Sequence, residues 1–97
     1  MLTKNKKKYL VGDIGNTFTK LSLLNQDYKI IRSYNIKTVQ LNSKKINSVF
    51  FQKILKNKKI NKNILFSSVV PKTYKNIKFF LNKKNFISYE IKELKVN

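Results

Sequence analysis

The order of strand and helix signals along the chain constrains its fold more than any other feature. Residues 8–14, 17–24 and 28–38 read KYLVGDI, TFTKLSLL and YKIIRSYNIKT, and short polar turns separate them. Apolar, β-branched and aromatic residues dominate all three runs, as is typical of strands. The sequence therefore predicts three consecutive antiparallel strands in its first part.

Helix and strand signals alternate in the rest of the chain. Residues 41–59 change to a helical period, 63–70 form a short apolar run, and 86–91 form a last strand-like run. Pro71 is suited to the first turn of a second helix. The predicted order is β-β-β-α-β-α-β, which implies an α/β fold with a mixed sheet, flanking helices and parallel later strands.

Each predicted helix has an apolar face. In the first helix the stripe consists of Ile46, Val49, Phe50 and Ile54, widened by Phe51 and Leu55, and Asn42 or Ser43 is placed to cap its start. In the second helix the face consists of Tyr74, Ile77, Phe80 and Leu81. Both helices are expected to pack on the sheet through these residues.

Composition limits the chain to one domain and narrows its chemistry. Its 97 residues carry a net charge of +18, but Arg32 is the single arginine and the lysines are spread over every segment. This spread favours a solvated basic surface, with nonspecific attraction to polyanions, over a dedicated nucleic-acid face.

Without cysteine or histidine, the sequence excludes disulfides, thiolate metal sites and a histidine proton shuttle. No apolar run is long enough for a signal peptide or a membrane span, so we expect a cytoplasmic protein without a membrane partner.

The first motif that carries chemistry is GDIGNTFTK, residues 12–20. Asp13 follows the first strand, Gly15 permits a backbone conformation closed to other residues, and hydrogen-bonding side chains follow at positions 16, 17 and 19. Such a turn offers N–H groups to a polyphosphate while the carboxylate holds the accompanying Mg²⁺. The alternative is an ordinary hairpin turn in which the aspartate only caps the backbone.

The second motif is LFSSVVPKTY, residues 65–74. A strand that ends at Ser67 and Ser68 and leads through Pro71 into a helix directs free helical N–H groups toward the carboxyl edge of the sheet, and Lys72 adds charge there. The alternative is a buried strand with a polar end and a proline-initiated helix without a ligand.

Together the two motifs resemble those of type III pantothenate kinase. That family opens with a strand running into Asp-x-Gly-Asn-Thr and later has a strand reading Ser-Ser-Val-Val-Pro, which appear here as DIGNTFTK and SSVVPKTY. The resemblance implies a ribonuclease-H-like half-domain of the actin-like ATPase fold, found in the acetate and sugar kinase, Hsc70 and actin superfamily. It also implies phosphorylation of pantothenate with ATP, the first step of coenzyme A biosynthesis, in the form of a homodimer that needs Mg²⁺ and a monovalent cation, K⁺ or NH₄⁺.

The resemblance also assigns site residues. It implies that nucleotide is bound by Asp13, Ile14, Gly15, Asn16, Thr17, Phe18, Thr19 and Lys20. Asp13 matches the family's metal-associated aspartate. Lys20 either reaches the phosphates or is one more surface lysine, and Phe18 is expected to pack rather than to contact the nucleotide.

The resemblance covers only the first part of the family's fold. The family continues into a second half-domain whose Gly-x-Asp-Arg motif supplies the catalytic base and pantothenate contacts, with the cation site and the adenine pocket also largely there. We therefore expect residues 1–97 to be the N-terminal ATPase-type domain, without a catalytic residue and inactive alone. Asp27, Glu90 and Glu93 match no family motif and are expected to be surface groups.

Two other interpretations stay open at this stage. A basic nucleic-acid-binding module would use the lysines, and its affinity would fall steeply with salt and not depend on Asp13. A non-catalytic regulatory relative would keep the scaffold without the reaction.

Overall fold

The computed structural model describes residues 7–56 and 58–91. Its elements are β1 (Tyr9–Ile14), β2 (Phe18–Leu24), β3 (Ile30–Lys37), a 3₁₀ helix (Thr38–Asn42), α1 (Lys44–Leu55), β4 (Asn63–Ser68), α2 (Pro71–Lys83) and β5 (Ile87–Glu90). The predicted order is confirmed, with the 3₁₀ helix inserted before α1. No helix in this described part is long and apolar enough to cross a membrane.

The five strands form one mixed sheet in the order β3-β2-β1-β4-β5. The first three strands are antiparallel to one another, while β4 runs parallel to β1 and β5 runs parallel to β4. This is a mixed α/β architecture consistent with a half-domain of the actin-like fold. Because β1 lies at the centre, the first strand of the chain is hydrogen-bonded directly to β4.

The hydrophobic core lies between the sheet and the two helices. Its fully buried members come from all layers: Leu10, Ile14, Leu21, Leu41, Phe51, Ile54, Ile64, Phe66, Ile77 and Leu81. Gly12 permits close packing on β1, since a Cβ there would lie 2.4 Å from the Phe66 ring. The core therefore fixes β1 and β4 against each other.

Helix α1 packs on the core through most of the predicted stripe, but not through Ile46 and Val49. It begins as expected, since the Ser43 hydroxyl accepts from the Ile46 N–H. Its buried residues, however, are Asn47, Phe51 and Ile54, whereas Val49 is 60% exposed. Phe51 and Ile54 of the predicted stripe are buried, Phe50 and Leu55 pack partly against the core, and Ile46 and Val49 are exposed. The Phe51 ring lies beside Phe80 of α2, with 6.1 Å between the ring centroids. The face of α2 is confirmed, with Tyr74, Ile77 and Leu81 buried.

The acidic residues outside the motifs take different positions. Asp27 is exposed in the turn between β2 and β3, as predicted. Glu90 is half-buried at the end of β5. Glu93 lies outside the described residues.

Candidate functional site

The two sequence motifs meet at one edge of the sheet. In the parallel pair of β1 and β4, Asp13 lies beside Ser67 and Ile14 lies beside Ser68. The backbone extends this contact past the strand, since the Val69 N–H donates to the Ile14 carbonyl oxygen at 3.0 Å. Residues far apart in sequence thus form the carboxyl edge of adjacent strands, where α/β sheets bind ligands.

Asp13 presents an available carboxylate at this edge. Its neighbours Gly12 and Ile14 are buried, whereas Asp13 is exposed, so its side chain lies on the face of the sheet away from the helices. Lys20 is its cross-strand partner in β2. The carboxylate makes no hydrogen bond or ion pair with any residue of 7–56 and 58–91. It therefore does not act as a cap on its own turn.

A short turn joins β1 to β2 and is closed by one backbone hydrogen bond. The Gly15 N–H donates to the Phe18 carbonyl oxygen at 3.0 Å. A Cβ on Gly15 would lie 2.9 Å from that same oxygen, closer than real Cβ atoms approach. The expectation that Gly15 adopts a conformation closed to other residues was wrong, because neither described glycine has a positive φ. Glycine is favoured at position 15 because the Phe18 carbonyl oxygen lies too close to leave room for a Cβ atom.

Thr38 connects this turn to the rest of the domain through hydrogen bonds. Its hydroxyl donates to the Gly15 carbonyl oxygen at 2.7 Å, and its backbone N–H donates to the Thr17 carbonyl oxygen at 2.9 Å. Since that hydroxyl hydrogen is used, the Thr19 hydroxyl donates to Thr38 Oγ1 at 2.8 Å. Thr38 is 2% exposed, so these bonds are shielded from water. Sequence reasoning missed Thr38, which lies at the start of the 3₁₀ helix and has no local motif.

The other predicted site residues divide between the surface and the interior. Asn16, Thr17 and Lys20 are exposed around the turn. The side chains of Ile14 and Thr19 are fully buried, so these two residues offer only backbone groups to the edge.

The Phe18 ring departs from its expected packing. It is 56% exposed within the described structure, although it was expected to pack against the domain. The ring therefore lies on the surface next to the turn.

Helix α2 begins beside the same edge. Pro71 occupies its first position, and the residue before it, Val70, provides no side-chain cap. The Ser68 hydroxyl accepts from the Val70 N–H at 3.0 Å, which directs the chain from β4 into the helix. The N–H groups of the first turn thus have no side-chain partner and carry the positive end of the helix dipole. Exposed Lys72 adds a cation nearby, as predicted.

The donor set at this edge fits Mg²⁺ that arrives with a phosphate. Among the described residues there is no cluster of three or more His, Cys, Asp or Glu side chains that would hold a metal by itself. Mg²⁺ in nucleotide sites is typically held by one or two carboxylates together with substrate phosphates. The exposed Asp13 carboxylate, which has no partner in the part of the chain that the structure describes, meets that requirement.

The sheet order and the polar edge define an α/β half-domain of the actin-like class. The family model of type III pantothenate kinase matches residues 9–95. The chain is also 43% identical over 89 residues to a type III pantothenate kinase of Pelagibacter ubique (strain HTCC1062), a match that covers 91% of this chain and 36% of that relative. The chain belongs to the type III pantothenate kinase family, and it spans about a third of the length of the curated relative it matches.

Proposed function

We propose that the protein phosphorylates pantothenate with ATP, and that this chain supplies the half that holds the ATP phosphates. The observation that carries the proposal is the pairing of Asp13 with Ser67 at the carboxyl edge of β1 and β4, where the carboxylate has no partner among the described residues. Membership in the kinase family supports the reaction, and the polar edge supports the role of this half.

The residues at the edge have distinct roles in this proposal. The exposed turn at Asn16 and Thr17 offers donors to the phosphate oxygens, and Lys20 adds a positive charge. Asp13 orients Mg²⁺, which neutralises phosphate charge when it is bound. Thr38 keeps the turn in position through the hydrogen bond from its hydroxyl to the Gly15 carbonyl oxygen. Phosphoryl transfer depends mainly on such positioning and on electrostatic stabilisation.

The rest of the reaction requires groups that we do not assign to this chain. We propose that the catalytic base, the pantothenate pocket and the K⁺ or NH₄⁺ site belong to the second half-domain of the family, in a homodimer. Residues 1–97 alone then bind Mg²⁺ and ATP without phosphorylating pantothenate. A cytoplasmic location stays a prediction of the sequence.

Backbone amide NMR tests the assignment of the phosphate site. Addition of ATP and Mg²⁺ to the 97-residue chain is expected to shift the amide signals of residues 13–20, 67–70, 72 and 73. A non-hydrolysable ATP analogue gives the same pattern, since no chemistry is required. Unchanged signals in both segments at saturating nucleotide would contradict the proposal, and phosphorylation of pantothenate by this chain alone would contradict its division into halves.

A further inference from the structure

A groove runs between α1 and α2, on the side of the sheet opposite Asp13. It encloses about 630 Å³, within the range of small-molecule sites. Helix α1 contributes Lys44, Asn47, Ser48 and Gln52 to its walls, α2 contributes Asn76, Phe79, Phe80 and Lys83, and Lys84 follows directly after α2. The groove therefore shares no residue with the phosphate edge.

Asn47, one of the residues that line the groove, has a buried polar atom without a hydrogen-bond partner among the described residues. Its side chain is 3% exposed, and its Oδ1 atom has no hydrogen bond among the described residues. A buried carbonyl oxygen without a donor is costly, and such atoms are rare in folded proteins. A donor bound in the groove would satisfy this oxygen once the amide turns about the Cβ–Cγ bond, a torsion that is broad in asparagine.

The walls of the groove are positively charged. Lys44, Lys83 and Lys84 line them, and no acidic residue is among the lining residues that the structure describes. Two of these lysines lie close to phenylalanine rings, with Lys83 Nζ 4.5 Å from the Phe79 centroid and Lys84 Nζ 5.9 Å from the Phe80 centroid. An occupant is thus expected to be an anion with an apolar or aromatic body.

The uncharged lining narrows the ligand class further. The Phe79 ring is 56% exposed and offers a surface on which a base can stack. The side chains of Asn47, Gln52 and Asn76 are amides, which present the adjacent donor and acceptor that match the edge of a nucleobase. We propose that the α1–α2 groove binds a nucleoside phosphate, with the phosphate on the lysines and the base between Phe79 and the amides.

Titration calorimetry of the 97-residue chain with AMP tests this site. Asn47→Leu and Phe79→Ala are each expected to weaken AMP binding about tenfold, the loss of one buried hydrogen bond or one stacked base. Phe79 is more than half exposed, so its truncation leaves the core intact. The amide shifts that ATP and Mg²⁺ cause at residues 13–20 are expected to be the same in Phe79→Ala as in the unchanged chain, which separates this proposal from the phosphate edge.

A charge-matched pair of variants controls for the basic surface. Lys83→Gln/Lys84→Gln is expected to weaken AMP binding by at least about tenfold, whereas Lys75→Gln/Lys78→Gln, on the exposed side of α2, changes it by less than about twofold. Equal losses of AMP affinity in the two double variants would overturn the proposal. Inorganic phosphate that binds as tightly as AMP would overturn it as well, because the base would then contribute nothing.

A second titration identifies the source of the nucleoside phosphate. If a free nucleotide is the ligand, AMP and a short oligoadenylate bind with similar affinity per site. If a single-stranded nucleic acid is the ligand, the oligoadenylate binds much more tightly, and Asn47→Leu weakens both. Oligoadenylate binding that does not respond to Asn47→Leu and Phe79→Ala would contradict a role of the groove.

Discussion

The hydroxyl of Thr38 donates to the carbonyl oxygen of Gly15 at 2.7 Å, and this bond holds the β1–β2 turn against the start of the 3₁₀ helix. The Thr19 hydroxyl adds a second bond to the same oxygen atom of Thr38. The turn that carries the candidate phosphate donors is therefore positioned by a buried residue outside the motif.

Replacing Thr38 with valine tests this positioning. The change leaves the Thr19 hydroxyl and the Gly15 carbonyl without a partner, so the free energy of unfolding is expected to fall by about 2 kcal/mol. The affinity for ATP with Mg²⁺ is expected to fall as well, because the turn is no longer held. Urea denaturation and calorimetry measure the two effects.

Thr73→Val is the matched control for this change. Thr73 is 1% exposed, and its hydroxyl donates a longer bond, 3.4 Å, to Asn42 Oδ1 and not to the β1–β2 turn. Thr73→Val also keeps the backbone N–H group of this residue at the start of α2. Thr73→Val is expected to lower the free energy of unfolding by less than Thr38→Val does, and to leave the affinity for ATP with Mg²⁺ unchanged. If the two valine variants lost ATP affinity equally, the effect would be one of stability and not of turn position.

Gly12 and Phe66 provide a test of core packing under the site. A methyl group at Gly12 would clash with the Phe66 ring, so Gly12→Ala is expected to lower the free energy of unfolding by about 1–3 kcal/mol. Phe66→Leu removes the obstructing ring edge and should relieve part of that strain. The double variant is therefore expected to be more stable than the sum of the single losses predicts. If urea denaturation showed that the two single losses in the free energy of unfolding add strictly in the double variant, this would contradict a contact between position 12 and the Phe66 ring.

Asn47→Leu is expected to make the domain more stable. It removes the unpartnered Oδ1 atom from the boundary between α1 and α2, which should raise the free energy of unfolding by about 1 kcal/mol. Asn82→Leu, at an exposed position of α2, is the control and should change stability by less than about 0.5 kcal/mol. A loss of stability in Asn47→Leu would show that the asparagine is satisfied within the fold.

Local signals in the sequence were sufficient for most of the architecture. Strand-like and helical periods located the five strands and both α-helices but not the 3₁₀ helix, and Pro71 marked the start of α2 because its missing N–H costs nothing there. The meeting of Asp13 with Ser67 follows once β4 pairs with β1 in parallel.

Other features depend on tertiary packing and could not be predicted locally. The apolar stripe of α1 is wider than the face that packs on the core, and the sequence does not show that Ile46 and Val49 stay exposed while Phe51 packs beside Phe80. The role of Thr38 likewise depends on a contact across 23 positions of sequence. Neither relationship leaves a periodic signal in the sequence.

Calorimetric titration of ATP with and without Mg²⁺, into Asp13→Asn and Asp27→Asn, tests the central claim most directly. Both variants remove one exposed carboxylate, but only Asp13 lies at the edge formed by β1 and β4. Asp13→Asn is expected to weaken Mg²⁺-dependent ATP binding by at least about tenfold, while Asp27→Asn changes it by less than about twofold. Equal affinities in the two variants would contradict the assignment of Asp13 to the metal-bound phosphates.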